Sequence, residues 1–391
     1  METERKVIIK LANKQKNQKH SKLKKLKYLI FFFFFLFVLI IIGIIIFIYI
    51  YKLNLNQNNF SKLSIEKLYQ ISSTILKLIK LKEEELKNLL YFNNNINEKY
   101  KHELNYFCDN QNIYYNKEFE DKIKKIDVDL NEKKFYLFAY DNSDAVSNKI
   151  YSSKSWEEKQ TNLLLNALNF YSNKKNIKNE NIYFVDIGAN IGWYSFFLGK
   201  YGYNIISFEP NKLNYYILKK NFCLNKDIKI TIINKGLYSE EKKCDLHLQI
   251  GNVGNGMAIC DNQGNILPHF LQKNKTEEII LTKLNNYIPF LSEKNLALIK
   301  IDAEGSEGKV FEGGIELITK YHVPFIFIEF APKSLELHGT KPREFLQLLK
   351  DNGYNFSLES FFDKNIFTPD DIIKRTNDYI NLYIFYTQFI E

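Results

Sequence analysis

Residues 185–197 read VDIGANIGWYSFF. An apolar run closes on Asp186, Gly188, Asn190 and Gly192 follow at alternate positions, and an aromatic stretch then opens a helical pattern. This is the grammar of strand, tight turn and helix start. Glycines let the backbone turn sharply and approach a ligand, and the helix N-terminus supplies unpaired N–H groups. Four further runs resemble NIYFVDI (181–187): NIISFE (204–209), IKITIIN (228–234), LALIKID (296–302) and VPFIFIEF (323–330). They are too continuously apolar for strands with one wet face and read as buried parallel strands. Helical patterns fall between several of them, at 193–201, 211–224, 307–320 and 341–352, the last closed by Gly353. YNFSL (354–358) and INLYIFYT (380–387) are expected to finish the sheet edge. The expected fold is α/β, a doubly wound, mostly parallel, Rossmann-like sheet that binds ligands at the carboxyl ends of its strands.

Those strand ends carry the chemistry. Asp186, Glu209, Asn234, the Lys300–Asp302–Glu304 group and Glu329 each end an apolar run, and such groups are costly to desolvate unless they share a crevice. Glu209 lies where nucleotide-binding folds place the acid that takes ribose hydroxyls. A dinucleotide fingerprint needs G-x-G-x-x-G, and here Asn190 breaks that spacing. An acid at the end of the first strand disfavours a phosphate and suits a cationic ligand such as the methionine amino group of S-adenosylmethionine. Plainer readings stand beside these: a turn glycine, helix caps at Glu304 or Glu307, and a lysine that pairs a carboxylate.

With FEP (208–210), IKIDAEGSE (299–307), VFEGG (310–314) and PFIFIE (324–329), the sequence resembles the FkbM-type methyltransferase family over roughly residues 155–332. The resemblance implies a class I fold that uses S-adenosylmethionine. Asp186, Gly188, Asn190 and Gly192 would line the methionine side, Glu209 the ribose, and Asn234 with Gly236 the adenine edge. It also implies O-methylation of a sugar or other hydroxyl, for which Asp302, Glu304 and Glu329 are candidate bases and His338 a weaker one. Where the family often carries T-x-L-D, TKLNNY has Asn285, a position expected to cap a helix. The glycine-rich GNVGNGMAICDNQGN (251–265) reads as a lid over the acceptor or as a solvated insertion. A binding module without activity, or a nicotinamide-dependent oxidoreductase, are the competing readings.

Ahead of this domain, Tyr28–Tyr51 is free of charge and long enough, at about 1.5 Å per residue, to cross a bilayer core of ~30 Å as a helix. Ten basic and two acidic residues precede it, and three lysines lie in the twenty residues after it. The positive-inside rule then places the N-terminus in the cytoplasm and the catalytic domain in a secretory lumen, as a type II anchor. The chain thus divides into a basic tail (1–27), an anchor in the lipid bilayer (28–51), a helical stalk with an N-terminal extension (52–150) and the methyltransferase-like domain (151–391). The formal charge of +9 resides almost wholly in the tail, which argues against nucleic acid as a partner and leaves a hydroxyl-bearing acceptor. Within the domain, Ser155 is expected to cap a helix over 155–171. Cys108, Cys223, Cys244 and Cys260 lack metal-ligand spacing, and read equally as free thiols or as one or two disulfides.

Overall fold

In the computed structural model of the protein the described residues are 99–111, 117–141, 144–250, 252–260, 271–292 and 294–391. The chain divides into two units, Met1–Lys82 and Glu83–Glu391, and all of these residues belong to the second. The expected anchor at 28–51 and most of the stalk lie outside them. None of the described helices is long and apolar enough to cross a membrane.

A central sheet of seven strands has the order β12-β13-β11-β10-β3-β4-β5. Its parallel part is β3 (Ile182–Ile187), β4 (Asn204–Phe208), β5 (Ile230–Ile233), β10 (Asn295–Ile301) and β11 (Phe325–Phe330), which are the five apolar runs of the sequence. β13 (Ile380–Tyr386) enters antiparallel between β11 and the edge strand β12 (Tyr354–Ser357), so the sheet is mixed. Successive side chains of a strand point to opposite faces. Phe184, Ile205, Leu298 and Phe325 therefore join one core, and Val185, Ile206, Ile299 and Ile326 join the other.

On the first face pack α2 (Glu158–Lys175), α3 (Trp193–Lys200) and α4 (Lys212–Leu224); α5 (Glu307–Tyr321) and Leu346 lie on the second. α2 buries Leu164, Leu165, Leu168 and Tyr171, the stripe its spacing predicts. Its start differs from expectation. Glu157, in the left-handed region at φ 41°, stands at the cap position, while the Ser155 hydroxyl donates to Ser153. VFEGG is explained by packing: a Cβ on Gly313 would lie 1.9 Å from the Tyr238 carbonyl oxygen, so α5 reaches the neighbouring loop only through a glycine.

Two pieces of structure add to the central sheet: the alternation of aromatic and charged residues over 106–150, with FYLFAYD at 135–141, leads one to expect a strand or two in the first, and the second has no such signal. The first is an antiparallel hairpin, β1 (Ile123–Leu130) and β2 (Lys133–Tyr140), followed by helix α1 (Ala145–Ser153). The hairpin joins the first core through Phe135, which packs on Trp193 and Phe197, so that core takes in residues ahead of 151. Asn221 and Asn225 of the α4 segment accept the N–H groups of Phe138 and Tyr136, satisfying an otherwise bare strand edge. The second is a sheet of order β6-β9-β7-β8, built from β6 (Gly236–Leu237), β7 (Lys242–Gln249), β8 (Asn252–Ile259) and β9 (Leu271–Thr282). Within the glycine-rich stretch, residues 252–259 form strand β8, paired with β7.

All four cysteines form disulfides, Cys108–Cys223 and Cys244–Cys260. The first joins the helical residues 99–109 to α4 across a sequence separation of 115, and the second ties the ends of β7 and β8. Closing so long a loop removes conformational freedom from the unfolded chain. Replacing Cys108 and Cys223 together by serine is therefore expected to lower the unfolding free energy by roughly 2–5 kcal/mol. Urea unfolding followed by fluorescence measures this, with the single Cys244→Ser variant, which opens a much shorter loop, losing less.

Candidate active site

The carboxyl ends of four adjacent strands, β10, β3, β4 and β5, open onto one cleft. It runs from Asp302–Ser306 past Gly188 and Asn190 to Glu209–Asn211, and on to Lys235–Tyr238. Gly254, Asn255 and Gly256 of β8 form its roof. Phe208, Leu237, Leu246, Ile279 and Leu281 make the β5 end apolar, whereas Asp302 and Glu304 make the other end acidic.

The turn after β3 owes its shape to three contacts. Gly188, at φ 72°, lies so close to the next strand's exit that a Cβ would stand 1.8 Å from the Asp302 carbonyl oxygen. Asn190 is also left-handed, at φ 51°, and its N–H donates to Glu209 Oε2 at 2.7 Å. Glu209 Oε1 accepts the Asn211 N–H at 2.9 Å. A carboxylate oxygen can accept more than one donor, so Glu209 keeps lone pairs for hydroxyls in the cleft while fixing the two loops that border it. Burial pushes its carboxyl up to about 7.

Of the residues assigned to the cofactor, Gly188, Asn190, Glu209 and Gly236 line the cleft. The others support it from behind. Gly192 is the N-cap of α3, and Asn234 donates to the carbonyls of Glu209 and Pro210. Asp186 is 1% exposed, accepts the Ser195 hydroxyl at 2.6 Å and faces Lys300 Nζ at 3.7 Å. It sits beneath the turn rather than in the cleft wall. Asn285 accepts the Leu317 N–H, so it braces α5 instead of capping a helix.

Lys300 is 4% exposed and reaches three oxygens: Asp302 at 3.2 Å, the Gly188 carbonyl at 3.2 Å and Asp186. Burial alone would depress its ammonium; the facing Asp302 and Asp186 carboxylates override this and hold it charged. Around it stand more acids. Burial, then Asp302, pushes Glu329 up to about 8. Burial, then Asp302 and Glu329, raises Glu304 well above the carboxylate range. Glu307 is pushed up to about 7 by burial, although its Oε1 accepts the N–H groups of Ala303 and Gly305.

Glu157 joins this group from the N-terminus of α2: it accepts the Tyr194 hydroxyl at 2.5 Å, and burial raises its carboxyl. Sequence reasoning missed Glu157, Tyr194 and Ser306. Nothing marks Glu157 in sequence, whereas Tyr194 sits inside VDIGANIGWYSFF and Ser306 inside IKIDAEGSE. His338 is 2% exposed with Nδ1 3.4 Å from the Ser306 hydroxyl, and burial lowers it to about 4. It stands behind the cleft wall as a neutral ring.

These acids make stability depend on pH. A carboxyl raised from its unfolded value near 4.3 favours the folded state while protonated. That contribution is full below about pH 4 and is lost as pH climbs through 7 for Glu209 and Glu307 and 8 for Glu329. The domain is expected to melt lower at pH 9 than at pH 5, and Glu307→Gln, which keeps the accepting Oε1, should recover part of the loss. Calorimetric melting across that range measures it. At the turn, Gly188→Ala is expected to cost roughly 2–4 kcal/mol through clash and left-handed strain, read by urea unfolding.

Residues 186–356 match the family model described as the methyltransferase FkbM domain. Among curated proteins none matches the chain. Among solved structures the chain is similar to the bifunctional kinase-methyltransferase WbdD, at 11% identity and TM-score 0.36 over 63% of this chain, and it spans 44% of that protein's length. It is also similar to the METTL16 MTase domain, at 10% identity and TM-score 0.31, covering 72% of this chain and 92% of that one. A third is the T. thermophilus 16S rRNA N2 G1207 methyltransferase RsmC, in complex with AdoMet and guanosine, at 10% identity and TM-score 0.31, covering 67% and 50%. The strand ends built around Gly188, Glu209 and Lys300 all fall inside the family match, and residues 186–356 are a methyltransferase FkbM domain.

Proposed function

We propose that the chain is an S-adenosylmethionine-dependent methyltransferase that methylates a hydroxyl of a glycan or small molecule. The observation that carries this reading is the single cleft that joins the Gly188–Asn190 turn and Glu209 to the acids Asp302 and Glu304. The cleft fits the cofactor's parts. Its apolar end between Phe208, Leu237 and Ile279 suits a purine, Glu209 suits a diol, and the acidic end suits a sulfonium or ammonium cation. When bound, S-adenosylmethionine supplies a methyl group on a sulfonium, which an acceptor oxygen attacks in line; the C–S bond breaks as the C–O bond forms.

The protein's part is positioning and proton removal. A hydroxyl far above neutral in pKa gains from a base poised near the working pH, typically by ~10²–10⁴-fold. Glu329, pushed up to about 8, meets that requirement. Asp302 is engaged by Lys300 at 3.2 Å and orients the cation, while Glu304, carried by a left-handed residue at φ 51°, reaches the cleft beside the roof, where Asn255 hydrogen-bonds to it. Tyr194 and Glu157 border Lys300 on its far side, with the ammonium 5.3 Å from the Tyr194 ring centre.

The same proposal extends to location. Residues 28–51 anchor the chain, and the paired cysteines suit an oxidising lumen, since disulfides persist there and are rare in the cytosol. This topology requires S-adenosylmethionine to be delivered across the membrane. A binding module without activity is the reading to exclude, and a nicotinamide-dependent oxidoreductase is less favoured because Asn190 interrupts the dinucleotide spacing.

Calorimetric titration with S-adenosylmethionine, S-adenosylhomocysteine and NAD separates the three. Binding of the first two, weakened at least tenfold by Glu209→Ala, is expected; failure of a folded chain to bind either would overturn the enzyme reading, and preferential NAD binding would favour the oxidoreductase. Once an acceptor is in hand, kcat/KM is expected to rise with pH to a plateau above about 8. Glu329→Gln should lower kcat by about 10²-fold and flatten that profile.

A further inference from the structure

The acidic end of the cleft contains more carboxylates than cations, and the imbalance bears on the acceptor. Asp302 and Glu304 line the cleft; Glu329 and Glu307 lie close enough to raise Glu304, and Glu307 and Glu157 close enough to raise Glu329. Lys300 is already engaged by Asp186, Asp302 and the Gly188 carbonyl, and is 4% exposed, so it has little left to offer a ligand. Among the described lining residues the basic side chain is Lys235, which follows β5 at the opposite end, and the roof contributes Gly254, Asn255 and Gly256.

A second observation points the same way. Glu307 is 2% exposed, and its Oε2 is buried without a hydrogen-bond partner among the described residues. Its other oxygen holds the N–H groups of Ala303 and Gly305, fixing the loop whose left-handed Glu304 enters the cleft. The molecule thus tolerates a strained residue and an unsatisfied buried acceptor where the acids converge. Such costs are found at ligand sites, and here Glu307 lies behind the lining and braces the loop that carries Glu304 into the cleft. Carboxyl groups of this kind exchange hydrogen bonds with hydroxyls, and an anion brought beside them would lose its hydration without gaining a cation.

We infer that the acceptor is a neutral or amino-bearing polyol with hydrogen-bond donors beside the reacting hydroxyl, and that phosphorylated or carboxylated acceptors are rejected. This rests on the methyltransferase reading of the same cleft and adds to it the charge class of the substrate. Asp302 and Glu304, the acids that line this end of the cleft, discriminate by bonding a vicinal hydroxyl or an ammonium group. An anionic acceptor would meet these acids at an end of the cleft where the described lining residues include no basic side chain.

The test uses the full chain, methyl-labelled S-adenosylmethionine and a mixture of methyl hexosides, their 6-phosphates, their uronates and their 2-amino derivatives, separated by charge after reaction. The expected result is label in the neutral and amino-bearing fractions in at least tenfold excess over the anionic ones, with Glu304→Gln narrowing the ratio. Label favouring the phosphate or uronate fraction overturns the inference. Should no fraction be labelled, crystals soaked in rubidium or bromide at pH 8.5 provide the reading: rubidium beside Asp302 and Glu304 supports the inference, and bromide there, or neither ion, overturns it. Calorimetry with S-adenosylhomocysteine keeps the two claims apart. A chain that binds it but fails these arms loses the acceptor class alone, and one that does not bind it loses the proposed function as well.

Discussion

The structure turns on one buried ammonium. Lys300 sits at the end of the central strand β10, flanked by β3 and β11, and draws Asp186, Asp302 and the Gly188 carbonyl toward a single point. A lone charge there would be expensive, and removal of one partner of such a group leaves the other stranded. The arrangement therefore ties the turn after β3 to the turn after β10. The same closeness is why Gly188 has no room for a side chain.

From that pairing the cleft follows. Once the two turns are locked together, Glu209 can hold Asn190 and Asn211 from the next strand, and Glu307 can hold the 303–305 loop from below. Each of these acids accepts backbone N–H groups, so the borders of the cleft are fixed by side chains whose burial the backbone partly offsets. Of the eight non-glycine left-handed residues among those described, Glu157, Asn190 and Glu304 fall at or next to this region.

The roof is a separate device. The sheet formed by β6 to β9 carries its own apolar cluster of Tyr238, Leu246, Ile279 and Leu281, with Cys244 and Cys260 bonded inside it. It hangs on the main sheet through β6 and through Gly313, which admits the Tyr238 carbonyl. The central sheet provides the floor of the site and this smaller sheet its cover, so the width of the cleft depends on how rigidly two hairpin strands are held.

By itself the sequence determined the floor. Continuous apolar runs bounded by turn residues leave little choice but buried parallel strands, and the charges that end those runs mark the edge where a ligand binds. Gly188, Asn190, Glu209, Asp302 and Glu304 were all legible this way. The roof was not, because GNVGNGMAI has too little side chain to alternate visibly between wet and dry faces, and β8 is defined by its pairing with β7. Nor was Glu157, which comes to the neighbourhood of Lys300 from a segment far away in the chain and meets Tyr194 of the VDIGANIGWYSFF motif there. Whether Asp186 faces a ligand or a lysine, and whether four cysteines pair, are questions of which groups meet in space. Local patterning fixes which residues are buried, but only the packing of distant elements decides what each buried charge finds opposite it, and the tertiary structure supplied that answer.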